Sequence, residues 1–415
     1  MALRRQASIA TVLTLALLAS APSTQAQAGK SKAPAAAPAP SGAATAPVPA
    51  TQGLALQGAP QIAAKSWLLV DVTTGQLLAA SDPDMKVEPA SLTKLMTAYL
   101  VFNALKEKKL TLDARPPVSP PAWKAIGSRM FVDPARPAMV EELLRGLIVQ
   151  SGNDAAIILA EALGGSEAGF ATQMNREAAR IGMKNTNFTN ASGLPDAQHY
   201  TTARDLAILS SRLIEEHPDF YKIYSEREYT YNNIKQPNRN RLLFIDPTVD
   251  GVKTGHTDAA GYCLIASSKR EQPGAGFQRR LLSVVLGTAS ESARAIESQK
   301  LLNYGFANFD VVRLYQKEAT AASYQVWKGA AKEVKAGFAN NVLVTVARGQ
   351  GERVKGEIER MQPLVAPITK GQPIGTLRVR LDDKVIAEQP LIALEAVEQA
   401  GWFGRLWDTI RLWFK

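Results

Sequence analysis

The sequence predicts an α+β protein with a separate all-β domain behind it. Three observations carry that expectation. Strand signals open the ordered part of the chain, a block of helical patterns follows, and strands return after it. Beyond about Phe309 the pattern changes to apolar–polar alternation with period two. Finally, the apolar residues of the last stretch fall on one helical face.

The elements run in order. SWLLVDVTTGQLLAASD reads as two short strands around a Thr73-Thr74-Gly75 turn. Pro89 and Ser91 then precede an apolar-periodic run from Leu92 to Leu105, a helix start. Further helical patterns cover 139–150, 154–163, 166–181 and 201–215, followed by strands at 262–269 and 280–287 and a helix at 289–305. Together these form one domain, residues 61–310. NVLVTVARG and GTLRVRLDDKVIAEQPLIAL, the latter turning at Asp382-Asp383, place a β-rich domain over 311–400.

Both ends of the chain are set apart. Residues 1–28 combine a basic start, an apolar run from Ala7 to Ala21 and the small-residue site Ala26-Gln27-Ala28, the three parts of a secretory signal peptide. Residues 29–60 are rich in Ala and Pro and have little to bury, which predicts an extended linker. At the other end, GWFGRLWDTIRLWFK (401–415) wound as a helix gathers Trp402, Phe403, Leu406, Trp407, Ile410, Trp413 and Phe414 on one face. Arg405, Asp408, Thr409, Arg411 and Lys415 take the other, with Leu412 out of place. Such a helix is about 22 Å long, too short for a hydrocarbon core of about 30 Å. It is expected to lie in the interface plane, so that the exported protein is attached peripherally to a membrane surface, on the periplasmic face of the bacterial inner membrane.

Composition narrows the function. With 415 residues and 46% hydrophobic content the chain can bury substantial cores. The formal net charge of +10 falls to about +8 once Arg4 and Arg5 leave with the signal segment. Like charges form no long block, so the excess reads as a solvated surface and nucleic acid is not an expected partner. Cys263 is the single cysteine, which excludes an internal disulfide and a Cys-rich metal site. His199, His217 and His256 lack ligand spacing, so neither a metal nor another cofactor is expected.

The chemistry begins at EPASLTKLMT. Ser91 and Lys94, three positions apart, share a helical face, so the amine can reach the hydroxyl. A serine becomes a nucleophile when something accepts its proton, and a lysine whose charge is suppressed by burial or by a second cation can do so. Alone, Ser-x-x-Lys is common and a helix cap beside a surface lysine explains it. Two further elements change the weight: Ser151-Gly152-Asn153 between two helical patterns, and Lys253-Thr254-Gly255 before a strand. Ser-x-x-Lys, Ser-x-Asn and Lys-Thr-Gly in that order form the motif set of β-lactamases and penicillin-binding proteins.

EPASLTKLMT, SGNDAA and VDGVKTGHTDAAGY resemble a low-molecular-weight penicillin-binding protein, a serine-type D-alanyl-D-alanine carboxypeptidase of the membrane-attached group. NRNRLLF and NASGLPDAQHYTTARDLA resemble it too, and the likeness spans about 61 to 415. It implies an antiparallel sheet with helices on both sides and a peptidoglycan stem-peptide substrate, with β-lactam antibiotics as covalent inhibitors. In that family's terms Ser91 attacks the carbonyl of the penultimate D-Ala and Lys94 is its base. Ser151 links Lys94 to the leaving nitrogen, and Asn153 holds the substrate's amide. Lys253 raises the local positive potential, Thr254 contacts the carboxylate, and the strand through Gly255 pairs with the peptide. Backbone N–H groups of Ser91 and His256 form the oxyanion hole. Arg239, with Arg241 as competitor, is the candidate for recognising the terminal carboxylate. His256 is read as shaping the site, while His199 and His217 are expected on solvent-exposed loops, His199 near the site.

Three other functions share part of this motif set. A class A β-lactamase needs a glutamate to activate its deacylating water, and no glutamate lies between Glu177 and Glu215. A D,D-endopeptidase would use nearly the same residues and stays open as an alternative. A non-catalytic wall or scaffold protein would not need Ser91, Lys94, Ser151, Asn153 and Lys253 intact.

Overall fold

The structure is a computed structural model that describes residues 59–273 and 276–413. The expected signal segment, and the expected linker up to residue 58, lie outside the described residues. The first half of the chain comprises strands β1 (Ser66–Asp71) and β2 (Gln76–Ser81), then helices α1 (Lys94–Lys106), α2 (Pro120–Trp123), α3 (Val140–Arg145), α4 (Asn153–Gly164), α5 (Glu167–Ile181), α6 (Ala203–Glu216) and α7 (Pro218–Tyr221). A hairpin of β3 (Glu228–Tyr231) and β4 (Ile234–Pro237), a short α8 (Leu242–Ile245), strands β5 (Val249–Thr257), β6 (Gly261–Glu271) and β7 (Gln278–Thr288), and α9 (Glu291–Asn308) follow.

β1, β2, β5, β6 and β7 build one antiparallel sheet in the order β2-β1-β7-β6-β5. Every residue of β1 is buried, because both faces of the sheet are covered. Period-two alternation divides them: Leu68 and Val70 join the large core with α1, α4 and α6, whereas Trp67 and Leu69 join a second core with Leu301 and Leu302 of α9. Truncating a side chain such as Leu69 to alanine would cost about 2–5 kcal/mol. β5 is an edge strand of this sheet, so among the described residues one side of its backbone is not paired to another strand.

The hairpin β3–β4 was not expected from the pattern. Asn232 and Asn233 sit at its turn with φ of 47° and 59°, the left-handed pair that a two-residue hairpin requires and that asparagine tolerates well. α2, α7 and α8, each four residues long, are also too short to show a helical period.

The second part contains β8 (Phe309–Tyr315), β9 (Ala322–Gln325), β10 (Glu333–Gly337), β11 (Val342–Ala347), β12 (Val354–Arg360), β13 (Pro373–Leu381) and β14 (Lys384–Ala393). A sheet ordered β12-β13-β14-β10-β9 packs with the β8–β11 pair around Val334, Val344, Leu377 and Leu391. On β13 the alternation is plain: Leu377 and Val379 point inward, and Arg378 and Arg380 point outward to Glu388 and Glu357.

The two parts share a buried polar joint. Asp71 Oδ2 accepts from Arg279 Nε at 2.7 Å and from Thr345 Oγ1 at 2.8 Å. Arg279 Nη1 donates to the Phe309 carbonyl at 2.7 Å, and Gln76 Nε2 donates to the Thr345 carbonyl at 3.2 Å.

The chain closes with α10 (Trp402–Trp413). Asp408 Oδ2 accepts from the Lys328 backbone N–H at 2.7 Å, seating the polar side of α10 on the β domain. Trp402, Phe403, Leu406 and Trp407 are exposed. Among the described residues, no helix is long and apolar enough to cross a membrane.

Candidate active site

Ser91 lies in a single 3-10 turn, Ala90–Thr93, that runs directly into α1. Ala90 has φ of 48°, a left-handed conformation costly for a residue with a Cβ. Packing holds it there. Gly193 (φ 83°) approaches so closely that an added Cβ would stand 1.8 Å from the Ala90 carbonyl oxygen. Glycine is required at Gly193 for both reasons.

Lys94, the first residue of α1, is 1% exposed. Its Nζ lies 2.6 Å from the Ser192 carbonyl oxygen, 2.7 Å from Asn153 Oδ1 and 3.0 Å from Ser91 Oγ. The orientation of Asn153 is fixed independently, since its Nδ2 donates to the Ile126 carbonyl at 2.7 Å. Burial pulls the Lys94 amine down to about 7, with the Arg239 charge adding to the effect and Asp154 and Glu167 opposing it. A neutral lysine amine has two N–H donors and one lone pair. Two of its three neighbours are carbonyl oxygens that can only accept, so the lone pair is left facing the Ser91 hydroxyl. That is the arrangement a base requires.

Ser151 follows a π-helical turn over Gly146–Gln150 and is itself left-handed, with φ of 62°. Its Oγ accepts from Lys253 Nζ at 2.9 Å, and the same Nζ donates to the Thr254 carbonyl at 3.1 Å. Lys253 on β5 is buried, and its amine is held well below the ordinary lysine value by burial and by the charges of Lys94, Arg239 and Arg294. Ser151 is thus tied to Lys253, with no bond to Lys94 among the described contacts. Asn153 spends its side chain on Lys94 and the Ile126 carbonyl.

On β5, Thr254 and Gly255 are buried and His256 is exposed. Gly255 lies against the turn, where an added Cβ would meet the Pro89 carbonyl oxygen at 3.1 Å. The His256 ring packs on Tyr262, centroids 4.1 Å apart. Arg239 is exposed, and its charge is felt by both Lys94 and Lys253. Arg241 instead donates to Ser292 Oγ at 3.0 Å.

The expectation for His199 and His217 is corrected: both are 3% exposed. The burial is possible because both ring nitrogens of His199 and Nε2 of His217 find hydrogen-bond partners. His199 bridges Thr93 Oγ1 at 2.8 Å and Thr189 Oγ1 at 2.9 Å, bracing the turn that carries Ser91. His217 meets Asn103 Oδ1 at 3.0 Å and packs on Tyr99 and Phe102. Burial lowers both imidazoles to about 4.

Other groups escaped the sequence reading. Asn190 Oδ1 accepts the backbone N–H groups of Ser192, Gly193 and Leu194, aiming the Ser192 carbonyl at Lys94. Arg294 of α9 donates to the Gly255 carbonyl at 3.3 Å, placing a cation behind β5. Nothing local marks either residue; only NASG, a turn-forming run, hinted at the first.

An antiparallel sheet between helical layers, with a serine–lysine pair facing a Lys-Thr-Gly edge strand, defines the class of penicillin-recognising serine hydrolases. Residues 54–290 match the D-alanyl-D-alanine carboxypeptidase family, and residues 309–399 match the C-terminal domain of penicillin-binding protein 5. The chain belongs to this family and is a serine-type D-alanyl-D-alanine carboxypeptidase. It is 42% identical over 365 residues to the D-alanyl-D-alanine carboxypeptidase DacC of Escherichia coli K12, spanning 86% of this chain and 90% of that one. The crystal structure of penicillin binding protein 5 from Haemophilus influenzae, 40% identical, superposes with a TM-score of 0.76 over 82% of this chain and 99% of that one. Penicillin-Binding Protein D2 from Listeria monocytogenes in its cefotaxime-bound form is 33% identical, with a TM-score of 0.55, over 60% of this chain and all (100%) of that one.

Proposed function

We propose that the enzyme removes the terminal D-alanine from peptidoglycan stem pentapeptides through an ester on Ser91. The observation that carries this reading is the buried Lys94 amine, drawn down by that burial and set within 3.0 Å of the Ser91 hydroxyl and of two carbonyl oxygens. Ser91 Oγ attacks the carbonyl carbon of the penultimate D-Ala as its proton passes to Lys94 Nζ. Backbone N–H groups of Ser91 and His256 take the developing oxyanion. The C–N bond breaks, and the leaving amine takes its proton from Ser151, whose Oγ is already held by Lys253. The proton that Lys94 took from Ser91 replaces it as substrate binding brings the Lys94 and Ser151 side chains into contact. Water then cleaves the ester, freeing the shortened peptide and Ser91. Lys253, Thr254 and Arg239 draw in the terminal carboxylate, and the free edge of β5 pairs with the peptide. A β-lactam ring opens on the same serine, a reading supported by the cefotaxime-bound relative.

Export and attachment complete the proposal. The signal segment directs the chain to the periplasm, and α10 lays Trp402, Phe403, Leu406 and Trp407 into the outer face of the inner membrane. The deciding assay measures free D-Ala from a pentapeptide ending in D-Ala-D-Ala, with Ser91→Ala alongside. Release that survives the substitution, or no release at all, overturns the catalytic reading. Deleting residues 401–415 should move the exported protein to the soluble fraction; retention on the membrane overturns the anchor.

A further inference from the structure

Against Asp154, the residue after Asn153, lies an open trough of about 630 Å³ whose walls include Trp123, Lys124, Arg129, Phe131 and Asp133. The mechanism above uses none of these side chains. Trp123 is 53% exposed and Phe131 42% exposed, an unusual outlay of aromatic surface. Phe131 is also held left-handed, with φ of 66°. Asp154 holds it there by accepting three successive backbone N–H groups, from Met130 at 3.0 Å, Phe131 at 2.8 Å and Val132 at 3.2 Å. The hairpin β3–β4 supports the loop from outside: Asn232 donates to the Phe131 carbonyl and Gln236 to the Arg129 carbonyl, each at 3.0 Å. Arg129 lies over the Phe131 ring, 4.8 Å from its centroid. A strained backbone, fixed by a buried carboxylate and a hairpin, spends its strain on presenting an aromatic ring to solvent.

The trough adjoins the chemistry through neighbouring residues: Asp154 on its wall directly follows Asn153 in the chain. Ile126, on the same loop, gives its carbonyl to Asn153, which holds Lys94, which faces Ser91. With the scissile bond over Ser91, the three upstream residues of an extended stem peptide span about 10 Å before the sugar that carries them begins. That sugar and the acidic part of the stem ask for the groups on view: aromatic faces for sugar C–H surfaces, cations for carboxylates, and Asp133 as an acceptor for hydroxyls.

We propose that this trough is the subsite for the saccharide end of the substrate, so that the enzyme prefers stem peptides attached to their amino-sugar over free peptides. The inference rests on the carboxypeptidase reading and names the substrate form. The full chain is assayed for D-Ala release on two substrates, a free pentapeptide and the same pentapeptide on its disaccharide. Wild type should favour the disaccharide form by about tenfold or more in kcat/KM. In Trp123→Ala that ratio should fall to near one, with Trp123→Phe restoring most of it. A ratio near one in wild type, or one unmoved by Trp123→Ala, overturns the subsite. As a readout needing no variant, a disaccharide tripeptide lacking D-Ala should inhibit wild type about tenfold more tightly than the bare tripeptide; equal inhibition overturns the subsite as well. No D-Ala release from either substrate would instead overturn the carboxypeptidase reading.

Discussion

Lys94 Nζ lies 3.0 Å from Ser91 Oγ, and its other two hydrogen-bond partners among the described residues, Asn153 Oδ1 and the Ser192 carbonyl, are pure acceptors. In the proposed reaction the pair can pass the Ser91 proton to Lys94 only when Lys94 enters the cycle uncharged.

Acylation should accordingly depend on the deprotonated amine. With the Lys94 amine drawn down to about 7, the rate should fall about tenfold per pH unit below that value and level off above it. Stopped-flow acylation by a chromogenic β-lactam between pH 5 and 9 measures this. A flat profile over that range would show that Lys94 is not the base.

Arg239 should influence the same profile from outside the pair. Its charge helps to lower both Lys94 and Lys253, so Arg239→Gln should raise the Lys94 value and move the acid limb to higher pH. Arg239→Lys should return the limb toward its original place. A variant that changes KM alone would confine Arg239 to carboxylate recognition.

Gly193→Ala should be far more damaging than its size suggests. The new methyl would collide with the Ala90 carbonyl and push the turn that holds Ser91. A displacement near 1 Å costs about 100-fold in rate. Acylation kinetics on folded variant, verified by circular dichroism, test this; near-wild-type rates would mean that the loop yields instead.

Arg279→Met should leave the buried Asp71 carboxylate without its counter-charge. The pair is 1% and 0% exposed, so breaking it should cost about 3–5 kcal/mol. Urea unfolding gives the number, and replacing both residues with apolar ones should recover much of the loss. A single substitution within 1 kcal/mol of wild type, roughly the worth of a surface pair, would rule out the joint's importance.

What the sequence disclosed follows a physical rule. Ser91 and Lys94 were visible because the contact is made within one helical turn. β13 and β14 were visible because one face of each is wet, which forces alternation. The hairpin β3–β4 carries no apolar alternation of consequence, since seven of its eight strand residues are exposed or half-buried. Its Asn232-Asn233 turn was the usable signal. Arg294 and the Ser192 carbonyl enter the site only through tertiary packing. His199 and His217 misled because polarity speaks for exposure until a fold supplies partners, and those partners, Thr93 and Asn103, lie about a hundred positions away.

The joint at Asp71 has a mechanical meaning. Thr345 and Phe309 grip the sheet through β1, β2 and the start of β7, whereas the substrate edge, β5, stands at the opposite end of the strand order. The β domain is therefore tied by side chains to the β2-β1-β7 side of the sheet, and β5, at the other end of the strand order, makes none of the contacts of this joint.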